Sequence, residues 1–171
     1  MKAGVRIIGI DDAPFKKGDK RSFLVAAVIR YGRLEDVLTH EIEVDGTDAA
    51  DAIIGMLKGK YKGQGKVIFI HSITVGGMNV VDIERVSDEL KCPVICITDR
   101  EVHGNELRKA VEKKFPERAR LIKEVYKNGR YYISYAGINK SEAVPLVRQF
   151  GYEPVRTAHI IARGVCARGM K

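Results

Sequence analysis

The sequence predicts an α/β protein built on a mixed sheet with flanking helices, and three observations carry that expectation. Three apolar, β-branched runs fall within the first 44 residues with only short polar breaks between them. Two later runs, 66–73 and 93–98, each follow a segment with helical apolar spacing, the mark of crossover connections. The chain has 171 residues, 45% of them hydrophobic, enough to bury a full core. No repeat, low-complexity tract or long linker divides it, so residues 1–171 are expected to form one domain.

The first strand is the apolar run from Val5 to Ile10, which ends in Asp11, Asp12 and Pro14. Pro14 cannot continue a ladder, so the strand stops by then, and strand alternation points Asp11 and Asp12 to opposite faces. A polar, basic loop leads to a second strand over 23–31, and Gly32 and Arg33 suit a tight turn into a third over 37–44, an antiparallel meander. The first helix spans 49–58, with Ile53, Ile54, Leu57 and Tyr61 at helical spacing. Because a helix precedes it, the fourth strand, 66–73, should run parallel to an earlier one. Gly76 and Gly77 are expected to open a second helix striped by Val80, Ile83, Val86 and Leu90, before a fifth strand over 93–98. Beyond Asn105 the pattern reads helix, helix, strand, helix, helix. Pro116 suits a first turn, Gly129 a helix stop, residues 131–135 a short strand and Gly151 the end of a helix from Ser141.

Thirty Lys and Arg against 22 Asp and Glu give a formal charge of +8, which favours polyanionic partners without naming one. Cys92, Cys96 and Cys166 are too few and wrongly spaced for a disulfide framework or a tetrahedral zinc site, and they fit a reducing cytoplasm. No run approaches a membrane span and no leader-like segment opens the chain, so a soluble intracellular protein is expected. A dinucleotide glycine fingerprint and a Walker-type loop are both missing, which weighs against a small nucleotide-binding regulator.

A three-stranded meander, helix, strand, helix, strand is the order of the ribonuclease H-like fold. That analogy implies strand order 3-2-1-4-5, with the first and fourth strands parallel neighbours whose carboxyl ends meet where the winding reverses, the place where open sheets bind ligands. Asp11 or Asp12 should then lie close to His71 or Ser72. Within this order the chain resembles the endonuclease V superfamily, and more closely an uncharacterised, mainly archaeal family (UPF0215) related to it. The residues that carry the resemblance are Gly9 to Phe15, Val44 to Ala49, Thr74 to Asp82 and Pro154 to His159.

Endonuclease V enzymes cut nucleic acid near deaminated bases with magnesium held by carboxylates. The resemblance therefore implies a divalent metal, magnesium or manganese, on Asp11 or Asp12 with Asp48, and DNA or RNA as the partner. His71 or Ser72 stands where that superfamily carries Asp followed by Gly, and imidazole suits manganese or zinc better than magnesium. His71 and His159 are the candidates for proton transfer or phosphate positioning.

Gly76, Gly77 and Asn79 replace the superfamily's basic glycine-containing stretch and are candidate contacts for the bound strand. Arg156, His159 and Arg163 share one helix face at i, i+3 and i+7, a point set suited to phosphate oxygens. Each group also has a plainer use. The paired Asp residues suit a turn, and Thr47 or Asp48 suits a helix cap. His71 fits a hydrogen-bonded core position, and Asp82 an ion pair with Arg85. Tyr126, Tyr131, Tyr132 and Tyr135 read either as base-stacking or as ordinary strand residues. The leading functional expectation is a divergent endonuclease V-like protein that binds nucleic acid and cleaves it with a divalent metal. The alternative is a non-catalytic nucleic-acid or protein-binding module that has lost the metal cluster.

Overall fold

The computed structural model describes residues 5–101 and 104–169. Seven strands form one mixed sheet in the order β3-β2-β1-β4-β7-β9-β8. Strands β1 (Arg6–Asp12), β2 (Arg21–Arg30) and β3 (Arg33–Glu43) make the antiparallel meander. Strand β4 (Gly65–His71) lies parallel to β1, and β7 (Val94–Thr98) parallel to β4. The expected 3-2-1-4-5 order is thus present, extended by the antiparallel hairpin of β8 (Tyr126–Asn128) and β9 (Tyr131–Ala136).

Alternation along β1 separates two cores. Ile8 and Ile10 join the larger one, under helices α1 (Ala49–Lys58), α2 (Ile83–Leu90) and α3 (Gly104–Lys114). Ile7 points the other way, into the core beneath α4 (Lys140–Phe150) and α5 (Glu153–Gly169). A capping box at Asn139 and Glu142 starts α4, and Gly151 ends it as expected. Helix α5 lies across β1 and β2, crossing β1 at Gly9, and this crossing sets where its side chains fall over the strand's carboxyl end.

Three expectations need correction. Gly76 and Gly77 do not open a helix; they turn a small hairpin of β5 (Thr74–Val75) and β6 (Asn79–Val80). Their φ values of 51° and 84° lie outside the right-handed helical region, and α2 starts only at Ile83. Asp82 caps that helix by accepting from the Arg85 amide, while the Arg85 side chain pairs with Asp51 and Glu89. Gly129 lies between β8 and β9 rather than at a helix end, whereas Pro116 does stand in the first turn of a helix, a 3-10 one (Pro116–Leu121). Cys92 and Cys96 are buried free thiols pushed up to about 12 by that burial, and Cys96 lies in β7; the Cys166 side chain falls outside the described residues. Among the described residues no helix is long and apolar enough to cross a membrane.

Candidate metal centre

The carboxyl ends of β1 and β4 meet around Asp11, which is 1% exposed. A lone buried carboxylate is costly, and here three donors surround it. Asp11 Oδ1 lies 3.0 Å from His71 Nδ1 and accepts from the Asp12 amide at 2.9 Å, while Oδ2 lies 2.7 Å from His159 Nδ1. Each of these two contacts is a hydrogen bond in the tautomer whose Nδ1 carries the proton and donates to the carboxylate. The hydrogen bond to Asp11 is the main cause raising the pKa of His71, with burial opposing it. The two imidazoles stand perpendicular, 6.4 Å between ring centres.

Asp12 points to the other face of the sheet, as alternation requires, and accepts from the Gly76 amide at 2.8 Å. Burial first, and then the nearby Asp11 charge, push its carboxyl up to about 6 against the pull of that amide. Asp12 and His71 also line a cavity of about 400 Å³ together with Ser72, Thr98 and Arg100.

Asp11, His71 and His159 each offer a ligand atom within 4.8 Å of the others, close enough for one ion to be held by all three, each imidazole binding through an unprotonated nitrogen. Two imidazole nitrogens and one carboxylate oxygen fit a divalent transition ion such as manganese or zinc, and fit magnesium less well.

Residues 3–166 match the family model described as endonuclease dU. The chain belongs to the endonuclease dU family. A UPF0215 protein of Methanothermobacter thermautotrophicus is 37% identical over 182 residues, covering 96% of this chain and 89% of that protein. A crystal structure of a protein of unknown function from Archaeoglobus fulgidus superposes with a TM-score of 0.84 at 37% identity, covering 94% of this chain and 98% of that one. Endonuclease V of Ciona intestinalis, in complex with a 24mer DNA containing an inosine followed by a ribo-adenosine, superposes with a TM-score of 0.62 at 10% identity, covering 96% of this chain and 87% of that one. That last likeness establishes the shared fold.

In this endonuclease dU family member Asp48 does not join the cluster of three. Both of its oxygens accept from the Glu43 amide at 3.2 Å, and Oδ1 also accepts from Asn79 Nδ2 at 2.7 Å. Asn79 is fully buried; its amide also donates to the Glu43 carbonyl and its Oδ1 accepts from the Ala49 amide. Asn79 thus caps α1 from a distant segment, and neither Thr47 nor Asp48 makes a side-chain cap. The quoted segments 44–49 and 74–82 therefore pack against each other: Gly77 sits where a Cβ would meet Asp45 Oδ1 at 2.5 Å, and Asp45 accepts from the Met78 amide.

Arg156 and Arg163 are exposed on α5, one turn before and one turn after His159 on the same flank. Arg156 lies 3.9 Å from Glu153 in a solvated pair. Sequence reading missed Arg100, Thr98 and Tyr152. The first two stand at the carboxyl end of β7, beside β4, and Tyr152 meets His71 edge-on at 5.7 Å. The fifth strand's place next to the fourth was the available signal for Thr98 and Arg100; Tyr152 carried none.

Proposed function

We propose that this chain is a metal-dependent endonuclease that hydrolyses a phosphodiester of DNA beside a deaminated base, with deoxyuridine as the preferred lesion. The observation that carries the reading is the convergence of Asp11, His71 and His159 at the switch point of the sheet, with ligand atoms within 4.8 Å of one another. The family description supports the lesion, and the inosine-containing DNA held by Ciona endonuclease V supports the partner. Uracil and hypoxanthine share one chemistry, a carbonyl oxygen in place of an amine.

Asp11, His71 and His159 are the residues that would hold the ion, with manganese favoured over magnesium by the donor set. When bound, a divalent ion lowers the pKa of a water and offsets charge on the scissile phosphate. Before an ion enters, Asp11 holds both rings through its two oxygens, so the three side chains that would bind the ion are already gathered. His71 lines the cavity, which puts the ion it would hold beside a substrate seated there. Gly76 and Gly77 serve this site by their turn, through which the Gly76 amide holds Asp12. Arg156 and Arg163 offer charge to phosphates passing over α5.

A second reading has an observation of its own. With Asp48 engaged by Glu43 and Asn79, one carboxylate remains in the cluster, fewer than a two-metal phosphodiesterase uses. On that reading the chain binds nucleic acid without cutting it. Single-stranded and duplex oligonucleotides with one deoxyuridine, incubated with manganese, separate the two. Cleavage beside the lesion that Asp11→Asn lowers at least about 100-fold supports the nuclease. No cleavage with manganese, zinc or magnesium, or an Asp11→Asn variant as active as the parent, refutes it.

A further inference from the structure

The rim of the sheet beyond the metal cluster carries a second ordered set of side chains. Because β9 runs antiparallel to β7, pairing Tyr132 with Thr98, the start of β9 lies at the same sheet edge as His71 and Arg100. The β8–β9 turn brings Asn128, Gly129 and Arg130 to that edge as well. From β4 to β8 this rim covers three strand spacings, about 14 Å, or roughly two nucleotides of extended chain.

The side chains along it form a continuous series. His71 meets Tyr152 edge-on at 5.7 Å, Tyr152 stacks on Tyr131 at 6.3 Å with ring planes 10° apart, and the Arg130 guanidinium lies 5.5 Å from the centre of the Tyr131 ring. Both tyrosines are half-buried, which holds each ring while exposing part of it. Arg100, Arg130 and Lys127 are exposed there, against exposed Asp99, and none of the three cations forms an ion pair with a described residue. Glu101 and Glu106 line the cavity itself. Rings backed by cations suit bases outside a duplex, whose faces are open to stacking, and Arg100, Arg130 and Lys127, interspersed with the carboxylates, give phosphates individual cationic contacts.

We propose that an unpaired nucleic-acid strand leaves the metal cluster along this rim, one base lying against the Tyr152–Tyr131 pair and its phosphates meeting Arg100 and Arg130. This rests on the nuclease reading for the strand's starting point and adds its path and its single-stranded character.

Binding of a labelled single-stranded 12-nucleotide DNA with one deoxyuridine, followed by anisotropy in the presence of a chelator over a salt series, tests the path without cleavage. Tyr131→Ala is expected to weaken binding about tenfold, with Tyr131→Phe close to the parent. Arg130→Ala, at an exposed position that leaves folding intact, is expected to flatten the slope of log K against log salt by about 0.7. The proposal is overturned if both Tyr131→Ala and Arg130→Ala bind as the parent does with the parent's slope, or if the parent binds no oligonucleotide at low salt. Cleavage by the parent with both rim variants unaffected removes the path and leaves the nuclease. Rim-dependent binding without cleavage by the parent does the reverse.

Discussion

A Cβ built on Gly9 would lie 1.9 Å from the carbonyl oxygen of Pro154, so β1 and the first turn of α5 touch backbone to backbone. Gly9 is two residues before Asp11 on the same face of β1, and Pro154 is five residues before His159 on α5. Two residues of strand and five of helix advance similar distances, about 7 Å each, so the close crossing brings His159 over Asp11. Gly9→Ala is expected to push α5 off the strand, costing about 1–3 kcal/mol or more, and to weaken the metal centre together with the fold. Chemical denaturation and manganese titration of the same variant check both effects.

Metal preference follows from the donor set. Manganese and zinc are expected to bind the parent at least about tenfold more tightly than magnesium, and His159→Ala to lower manganese affinity at least about 100-fold. Saturating metal at about 100 times Kd adds about 2.7 kcal/mol of stability, which a chelator removes. Calorimetric titration and melting with and without chelator measure these.

Stability of the metal-free protein is expected to fall as pH rises from 4 to 8. The folded state holds the Asp12 proton up to about 6, while the unfolded chain releases it at the ordinary, lower carboxylate value. The contribution is therefore fully present below that ordinary value and lost as pH climbs through 6. His71, raised by its bond to Asp11, acts with the same sign: its contribution is present below the ordinary imidazole value and lost as pH passes the raised one. Asp36, held at about 2 by Lys60 and Tyr61, acts oppositely, its contribution being lost as pH falls through that value, well outside this window. Melting temperatures are expected to drop by a few degrees across the window, and Asp12→Asn to remove the part below 6. A flat or rising profile would contradict the assignment.

Asp48→Asn is expected to leave manganese affinity within about threefold of the parent, because its oxygens hold the Glu43 amide and the Asn79 side chain. Asn79→Ala leaves the Ala49 amide, the Glu43 carbonyl and Asp48 without that partner and is expected to cost about 2–4 kcal/mol. A large loss of metal affinity in Asp48→Asn with an unchanged melting temperature would make it a ligand after all.

The sheet was legible because its order is written in local patterns: apolar runs, a tight turn at Gly32 and helical stripes between strands. Asp11 and Asp12 stood out together as carboxylates closing a buried strand, and strand parity put them on opposite faces, but only the contacts with His71 and His159 single out Asp11. The role of Asn79 was not legible, since capping α1 from 30 residues away leaves no local trace. Gly76 and Gly77 misled because paired glycines before an apolar stripe fit a helix start as well as a hairpin turn, and only contact with Asp12 and Asp45 decides between them. Tyr152 reaches His71 through the packing of α4 and α5, which no spacing in the chain encodes.

Anomalous diffraction from crystals soaked in manganese tests the central claim most directly. The account predicts a single strong peak bonded to Asp11, His71 and His159; no peak there, or an ion held by other side chains with the two imidazoles still hydrogen-bonded to Asp11, would contradict it.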